Sequence, residues 1–175
     1  VSSEVTLAGS DENWLDLCAG PGGKAALWGA IAAERGAHVV ANELQEHRAE
    51  LVRSSTVALP NVDVVSHDGR SGPWQPGSFD RVLVDAPCSG LGALRRRPES
   101  RWRKSEEDLV GLTALQHDLL AAAIAYTRSG GIVAYATCSP IAAETTDIVA
   151  GVLGENVQLE SEHRWWPDEH GTDAM

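Results

Sequence analysis

Short apolar runs and longer amphipathic stretches take turns along this chain, and that alternation leaves few folds open. Asn13-Trp14-Leu15-Asp16-Leu17-Cys18, Ala37-His38-Val39-Val40-Ala41-Asn42-Glu43, Val62-Asp63-Val64-Val65-Ser66, Phe79-Asp80-Arg81-Val82-Leu83-Val84 and Ile132-Val133-Ala134-Tyr135-Ala136 are too short for stable helices and rich in apolar and β-branched residues, so they read as strands. Between them, helical spacing appears. Leu27, Trp28, Ile31 and Ala32 mark a helix over 24–35 that Gly36 ends. A second runs from 45 to about 57, before Pro60. Leu109, Leu112, Leu115, Leu119, Ala123 and Tyr126 form one stripe of a long helix over 106–128, stopped by Ser129-Gly130-Gly131. Residues 141–153 read as a last helix and Val157-Gln158-Leu159 as a sixth strand. Strands alternating with helices predict an α/β fold with a doubly wound, mostly parallel sheet. No internal repeat or linker divides the chain, so residues 1–175 read as one domain with its core from about residue 13.

In such a sheet, ligands bind beyond the carboxyl ends of the strands. The fourth strand runs into Asp85-Ala86-Pro87-Cys88-Ser89-Gly90, and the fifth into Thr137-Cys138-Ser139-Pro140. Taken alone, Asp85 reads equally as a buried cap and Cys88 as an inert packed thiol. Two thiols at two strand ends, 50 residues apart in sequence, point instead to chemistry in one cleft. Either is a candidate nucleophile, and spacing alone does not choose between them.

The first strand leads into Cys18-Ala19-Gly20-Pro21-Gly22-Gly23-Lys24, a tight turn before a helix, where a ligand can approach backbone N–H groups closely. Glu43 ends the second strand about twenty residues on, the place from which an acid accepts hydrogen bonds from ribose hydroxyls. Asp68, after the third strand, is within reach of an adenine. The layout suits an adenosine-containing cofactor. Gly20, Gly22 and Gly23 do not fit the Gly-x-Gly-x-x-Gly of nicotinamide enzymes, whereas S-adenosylmethionine has no pyrophosphate and needs only a glycine-rich turn and the acid. Cys18 itself reads as a core thiol near that cofactor.

A net charge of −11 argues against a general nucleic-acid-binding surface. Six of the fourteen basic residues nevertheless fall in one stretch, Arg95, Arg96, Arg97, Arg101, Arg103 and Lys104, with Trp102 among them. Such a run is ordinarily a solvated loop; directly after residues 85–90, it could also grip phosphates, with Trp102 stacking on a base. Three cysteines make no disulfide framework and predict a reduced, cytoplasmic protein. No Cys-x-x-Cys or His-x-x-x-His spacing points to a metal, and no run of eighteen apolar residues points to a membrane. The tail, with Trp165-Trp166-Pro167 and His170-Gly171-Thr172-Asp173, stops without a closing apolar strand.

Asp16-Leu17-Cys18-Ala19-Gly20-Pro21-Gly22-Gly23-Lys24, Asp68-Gly69-Arg70, residues 85–90 and Thr137-Cys138-Ser139 resemble, in order and spacing, the Nop/Sun family of RNA (cytosine-5) methyltransferases, nearest to the bacterial Sun-type 16S ribosomal RNA enzymes. Leu94-Arg95-Arg96-Arg97-Pro98-Glu99 is similar too, and the likeness covers roughly nine-tenths of the chain. It implies the Rossmann-like methyltransferase fold, S-adenosylmethionine as cofactor and RNA, ribosomal rather than transfer, as partner. It implies Cys138 as nucleophile, Cys88 as helper in product release, and Cys18 to Lys24, Glu43, Asp68 and Asp85 around the cofactor and base. Glu43 stands where the family commonly has Asp, and Thr145 where it often has Asn. The family's N-terminal RNA-binding domain and last strand are not expected within these residues, which leaves an inert S-adenosylmethionine-binding fragment as an alternative. A nicotinamide-dependent oxidoreductase is the other.

Carbon 5 of cytosine is a poor nucleophile. A thiolate adding to carbon 6 pushes electron density onto carbon 5, which can then accept a methyl group. Asp85 would assist as a hydrogen-bond donor to the ring if an apolar pocket kept its proton. Lys24 or a backbone N–H would have to lower the pKa of Cys138, since a free thiol is only a few per cent ionised at neutral pH.

Overall fold

The computed structural model describes residues 11–96, 98 and 105–174. Five strands, β1 (Asn13–Asp16), β2 (His38–Asn42), β3 (Val62–Val65), β4 (Phe79–Asp85) and β5 (Thr127–Ala136), form one sheet in the order β3-β2-β1-β4-β5. Every pairing is parallel. Helices α1 (Gly23–Ala33), α2 (Glu46–Thr56) and α3 (Glu106–Tyr126) supply three of the four crossovers, the connection from β3 to β4 carrying only a 3-10 turn at Gly69–Ser71, with short helices α4 (Thr146–Ala150) and α5 (Pro167–His170) beyond. The order reverses between β1 and β4, so the switch point lies where both lead into loops.

Both faces of the sheet are covered, which is why its strands read as continuous apolar runs. Along β1, side chains alternate. Leu15 and Leu17 pack with Val82, Val84, Leu119, Ala123 and Tyr126, under α3. Trp14 packs with Val39, Ala32 and Trp28, under α1. Ala25, Ala41 and Val52 fill the space beside them, toward α2. Ser105 starts α3 with a reciprocal cap, its hydroxyl accepting from the Asp108 N–H while the Asp108 carboxylate accepts from the Ser105 N–H. Residues 107–126 are long and apolar enough to cross a membrane by length and composition alone. Here their apolar stripe is built into the core through Leu115, Leu119, Ala123 and Tyr126.

Three expectations need correction. The predicted sixth strand at 157–159 does not form; Val157 makes only an isolated bridge to Gly154. The helix expected over 141–153 is broken, a 3-10 turn at Ala142–Glu144 followed by α4, because Thr145 leaves the helical region (φ −124°, ψ −96°). β5 starts at Thr127, before the glycines expected to precede it, and absorbs Ser129-Gly130-Gly131 through a register shift between Phe79 and Arg81.

Candidate active site

The register of β4 against β5 builds the site. Asp85 pairs with Ala136, and the Ala86 N–H donates to the Ala136 carbonyl at 2.9 Å. Two loops therefore leave the sheet side by side, and the third residue of one meets the second of the other. Cys88 and Cys138 lie with their Sγ atoms 3.3 Å apart, both unbridged and half-buried. Their acidities diverge. The Cys88 S–H stabilises the Cys138 thiolate and, against the cost of burial and the repulsion of Asp85, draws the Cys138 pKa down to about 7. The same hydrogen bond, with burial, pushes the Cys88 thiol up. Lys24, expected from the sequence to activate Cys138, contributes in the same direction, but as the smallest of these influences.

Lys24 Nζ instead donates to Asp85 Oδ2 at 2.7 Å. Asp85 is thus partnered by an ammonium rather than held in the apolar pocket expected for a proton donor. Lys24 is the donor of the pair, and Asp85 the acceptor.

A buried carboxylate knits the two thiol loops together. Glu144 has no exposed surface. Its Oε1 accepts from the Ser89 N–H (2.7 Å) and Gln116 Nε2 (3.0 Å), and its Oε2 from the hydroxyls of Ser89 and Ser139 (2.5 Å each). Gln116 Nε2 also donates to the Pro87 carbonyl at 2.8 Å. Burial would raise the Glu144 pKa, but the serine and glutamine donors outweigh it and hold the carboxyl below its usual range. Sequence reasoning missed both residues. The signal was a polar residue on an apolar stripe: Glu144 falls in helical phase with Ile141 and Ile148, and Gln116 with Leu112, Leu119 and Leu120.

On the other side of the cleft, the glycine-rich turn is gripped from α2 and the end of β2. The Gly20 N–H donates to Glu43 Oε2 (3.1 Å), the Gln45 N–H to Glu43 Oε1 (3.0 Å), and Arg48 to the Gly20 carbonyl (2.8 Å). A Cβ on Gly20 would collide with the Glu43 carboxylate. Gly22 sits at φ +114° as the N-cap of α1 and provides no side-chain cap, so the first N–H groups of α1 face the turn. Ala19 is buried, and burial pushes the Cys18 thiol well up, which keeps it protonated as a packing group. Asn42, missed in the sequence, ties three strand ends together by donating to the Leu17 and His67 carbonyls and accepting from the His67 N–H. Asp68 caps the following turn and pairs with Arg70.

Asp16 is a fourth residue that sequence reasoning did not single out. It is fully buried at the end of β1, and neither carboxylate oxygen has a hydrogen-bond partner. Burial first, then the Asp85 carboxylate, raise its pKa to about 7. Asp16, Glu43 and Asp85 bring three carboxyl groups to the turn, Asp85 paired with Lys24 and Glu43 with Arg48. The residues present fit S-adenosylmethionine: Glu43 for the ribose, the N–H groups opening α1 for the carboxylate, and acids for the positive groups.

Of the basic stretch, Arg97, Arg101, Trp102, Arg103 and Lys104 lie outside the described residues. Arg96 pairs with the buried carboxylate of Asp173, which Arg95 also approaches at 3.9 Å. The tail is held there by backbone as well, the Ala174 N–H donating to Gly92 O and the Gly92 N–H to Cys138 O. One of the arginines expected to grip RNA is therefore already engaged by a carboxylate of the tail.

A family model described as 16S rRNA methyltransferase RsmB/F matches residues 5–175. The Mycobacterium tuberculosis protein Rv1407 is 49% identical to this chain, covering 100% of it and 42% of its own length. The ribosomal RNA small subunit methyltransferase B of Proteus mirabilis is 36% identical over 99% of the chain and 42% of its own. The chain thus spans about two-fifths of these relatives. Among solved structures, PH0851 superposes with a TM-score of 0.82 at 26% identity, over 94% of this chain and 41% of that one. NSun6 from Pyrococcus horikoshii, solved with SFG, gives 0.78 at 24% identity over 94% and 46%, a likeness of fold. The order β3-β2-β1-β4-β5, the thiol pair at the ends of β4 and β5 and the matched family model agree: this chain belongs to the RsmB/F family of S-adenosylmethionine-dependent 16S rRNA methyltransferases.

Proposed function

We propose that this chain is the catalytic domain of a cytoplasmic enzyme that methylates carbon 5 of a cytosine in ribosomal RNA, with Cys138 as the nucleophile. The observation that carries the proposal is the asymmetric thiol pair: two cysteines 3.3 Å apart, one poised to ionise near neutral pH and the other holding its proton. S-adenosylmethionine, when bound, supplies an electrophilic methyl group at this cleft. Cys138 Sγ forms a bond to carbon 6, and carbon 5 gains the electron pair with which it takes the methyl group. The proton on carbon 5 then leaves to a base, the carbon 5–carbon 6 double bond re-forms, and the bond to Cys138 breaks. Cys88, whose S–H lies against the attacking sulfur, donates to the departing Cys138 thiolate and so serves the release.

Lys24 and Asp85 read the base. The ammonium donates to an acceptor on the cytosine ring, and the carboxylate accepts from its exocyclic amine. Uracil offers an oxygen there, which the carboxylate would repel. The base must leave its stack to reach the thiols, which favours unpaired RNA. Three unbridged thiols suit the reducing cytoplasm. A nicotinamide-dependent reaction finds no support, since the turn lacks Gly-x-Gly-x-x-Gly and the matched family is one of methyltransferases.

The test is methyl transfer from radiolabelled S-adenosylmethionine to small-subunit ribosomal RNA, followed by digestion to nucleosides. Label in 5-methylcytidine is expected. Label in a ribose or a purine would overturn the reading, as would its absence when cofactor and RNA both bind.

A further inference from the structure

We propose that Glu144 is the positioning residue for the nucleophile: a buried clasp that fixes the Cys88–Cys138 distance by holding the residue after each thiol. The inference rests on Cys138 being the attacking group. Cys88 and Cys138 sit on separate loops; the pairing of β4 and β5 ends with Ala86 and Ala136. Beyond that point, one backbone hydrogen bond joins the loops, from the Gly92 N–H to the Cys138 carbonyl, and the residues that flank the thiols are joined through side chains. Ser89, next to Cys88, gives Glu144 both its N–H and its hydroxyl. Ser139, next to Cys138, gives its hydroxyl to the same oxygen. Gln116 anchors the carboxylate to α3 and, through the Pro87 carbonyl, fixes the residue on the other side of Cys88. The Tyr135 hydroxyl donates to the Glu144 carbonyl at 2.8 Å, fixing the clasp to β5.

A carboxylate suits this place. The four hydrogen bonds arrive at two oxygens that carry no proton of their own, so no donor faces another donor. Charge-assisted bonds are short and directional, and buried ones are not loosened by water. Glu144 is the last residue of the 3-10 turn that precedes α4. The geometry that the clasp maintains is a sulfur–sulfur hydrogen bond, which weakens steeply as the two atoms separate. Glu144 touches neither thiol, and its influence on chemistry passes through the distance between them.

The experiment measures the pH dependence of iodoacetamide alkylation in the 175-residue chain, with the modified cysteine identified by peptide mass. In the wild type, the fast-reacting thiol should be Cys138 with a midpoint near pH 7. In Glu144→Ala, the midpoint should rise by about a unit or more, and the rate at pH 7 should fall about fivefold or more. Glu144→Gln, which keeps oxygen toward the Ser89 N–H and can donate to the two hydroxyls, should restore most of the wild-type profile. Leu119→Ala serves as a control that destabilises the same core without touching the clasp. An unmoved midpoint in folded Glu144→Ala would overturn the inference, and so would an equal shift in Leu119→Ala. If Glu144→Ala does not fold, Ser139→Ala is read in its place, and an unmoved midpoint there overturns the inference equally. Fast alkylation at Cys88 in the wild type would instead refute the nucleophile assignment, while a shift of that thiol in Glu144→Ala would still support the clasp.

Discussion

Cys138 and Cys88 bear the same side chain, and a proton shared across 3.3 Å drives their acidities apart. Burial also governs Asp16, outweighing the Cys18 backbone N–H and the Lys24 charge that act against it. Its folded-state pKa lies near 7, against about 3.9 in an unfolded chain. Between those values, the folded state holds a proton that the unfolded state has lost, so folding is favoured at the acid end. That advantage falls away as the pH rises through this window and is gone above about 7. Asp16→Asn removes the titration. Its stability relative to the wild type should therefore climb between pH 5 and 8, by roughly 2 kcal/mol, or several degrees in melting temperature. Thermal melts of the two proteins across that range check this; a difference that is flat or shrinks with pH contradicts it.

At the scale of elements, β1, β2, β3 and β4 were legible as short apolar runs that lead into polar or glycine-rich loops, and α3 by its long apolar stripe, although it passes straight into β5 at Thr127 rather than stopping at the glycines. The thiols were legible because they stand at strand ends. What escaped depends on tertiary pairing. The meeting of Cys88 with Cys138 comes from the β4–β5 register, and the register shift that sets it lies in Ser129-Gly130-Gly131, which locally reads as a stop. Glu144 and Gln116 were hidden because each looks like a surface residue until its neighbours on the stripe are buried. The glycine-rich turn is held by elements that come later in the chain, Glu43 from the end of β2 and Arg48 from α2. Gly20→Ala would place a Cβ against that carboxylate and displace either the Glu43 and Arg48 side chains that grip the turn or the turn itself. Affinity for S-adenosylmethionine should fall about tenfold or more, a loss of about 1.4 kcal/mol or more. Titration calorimetry with the wild type alongside measures it, and unchanged affinity would show that the turn does not cradle the cofactor.

For the molecule as a whole, a chain of net charge −11 is proposed to bind a polyanion. Its basic stretch follows the Cys88 loop, and the tail folds back onto it through Asp173 and Arg96. The pair is unequal: the Asp173 side chain is 6% exposed and that of Arg96 71%. Removing the arginine strands a buried carboxylate, while removing the acid leaves a guanidinium that water can solvate. Arg96→Ala should lower the urea midpoint more than Asp173→Asn does; the reverse order would show that the tail latch works otherwise. The central claim concerns the reaction itself, and the most direct measurement is covalent trapping. The chain and its Cys88→Ala and Cys138→Ala variants are incubated with S-adenosylmethionine and ribosomal RNA containing 5-fluorocytosine, whose fluorine blocks the final elimination. A denaturation-resistant protein–RNA adduct should form with the wild type and with Cys88→Ala, and be absent with Cys138→Ala. An adduct that survives the loss of Cys138 but requires Cys88, or no adduct from a chain that binds both cofactor and RNA, would contradict the account.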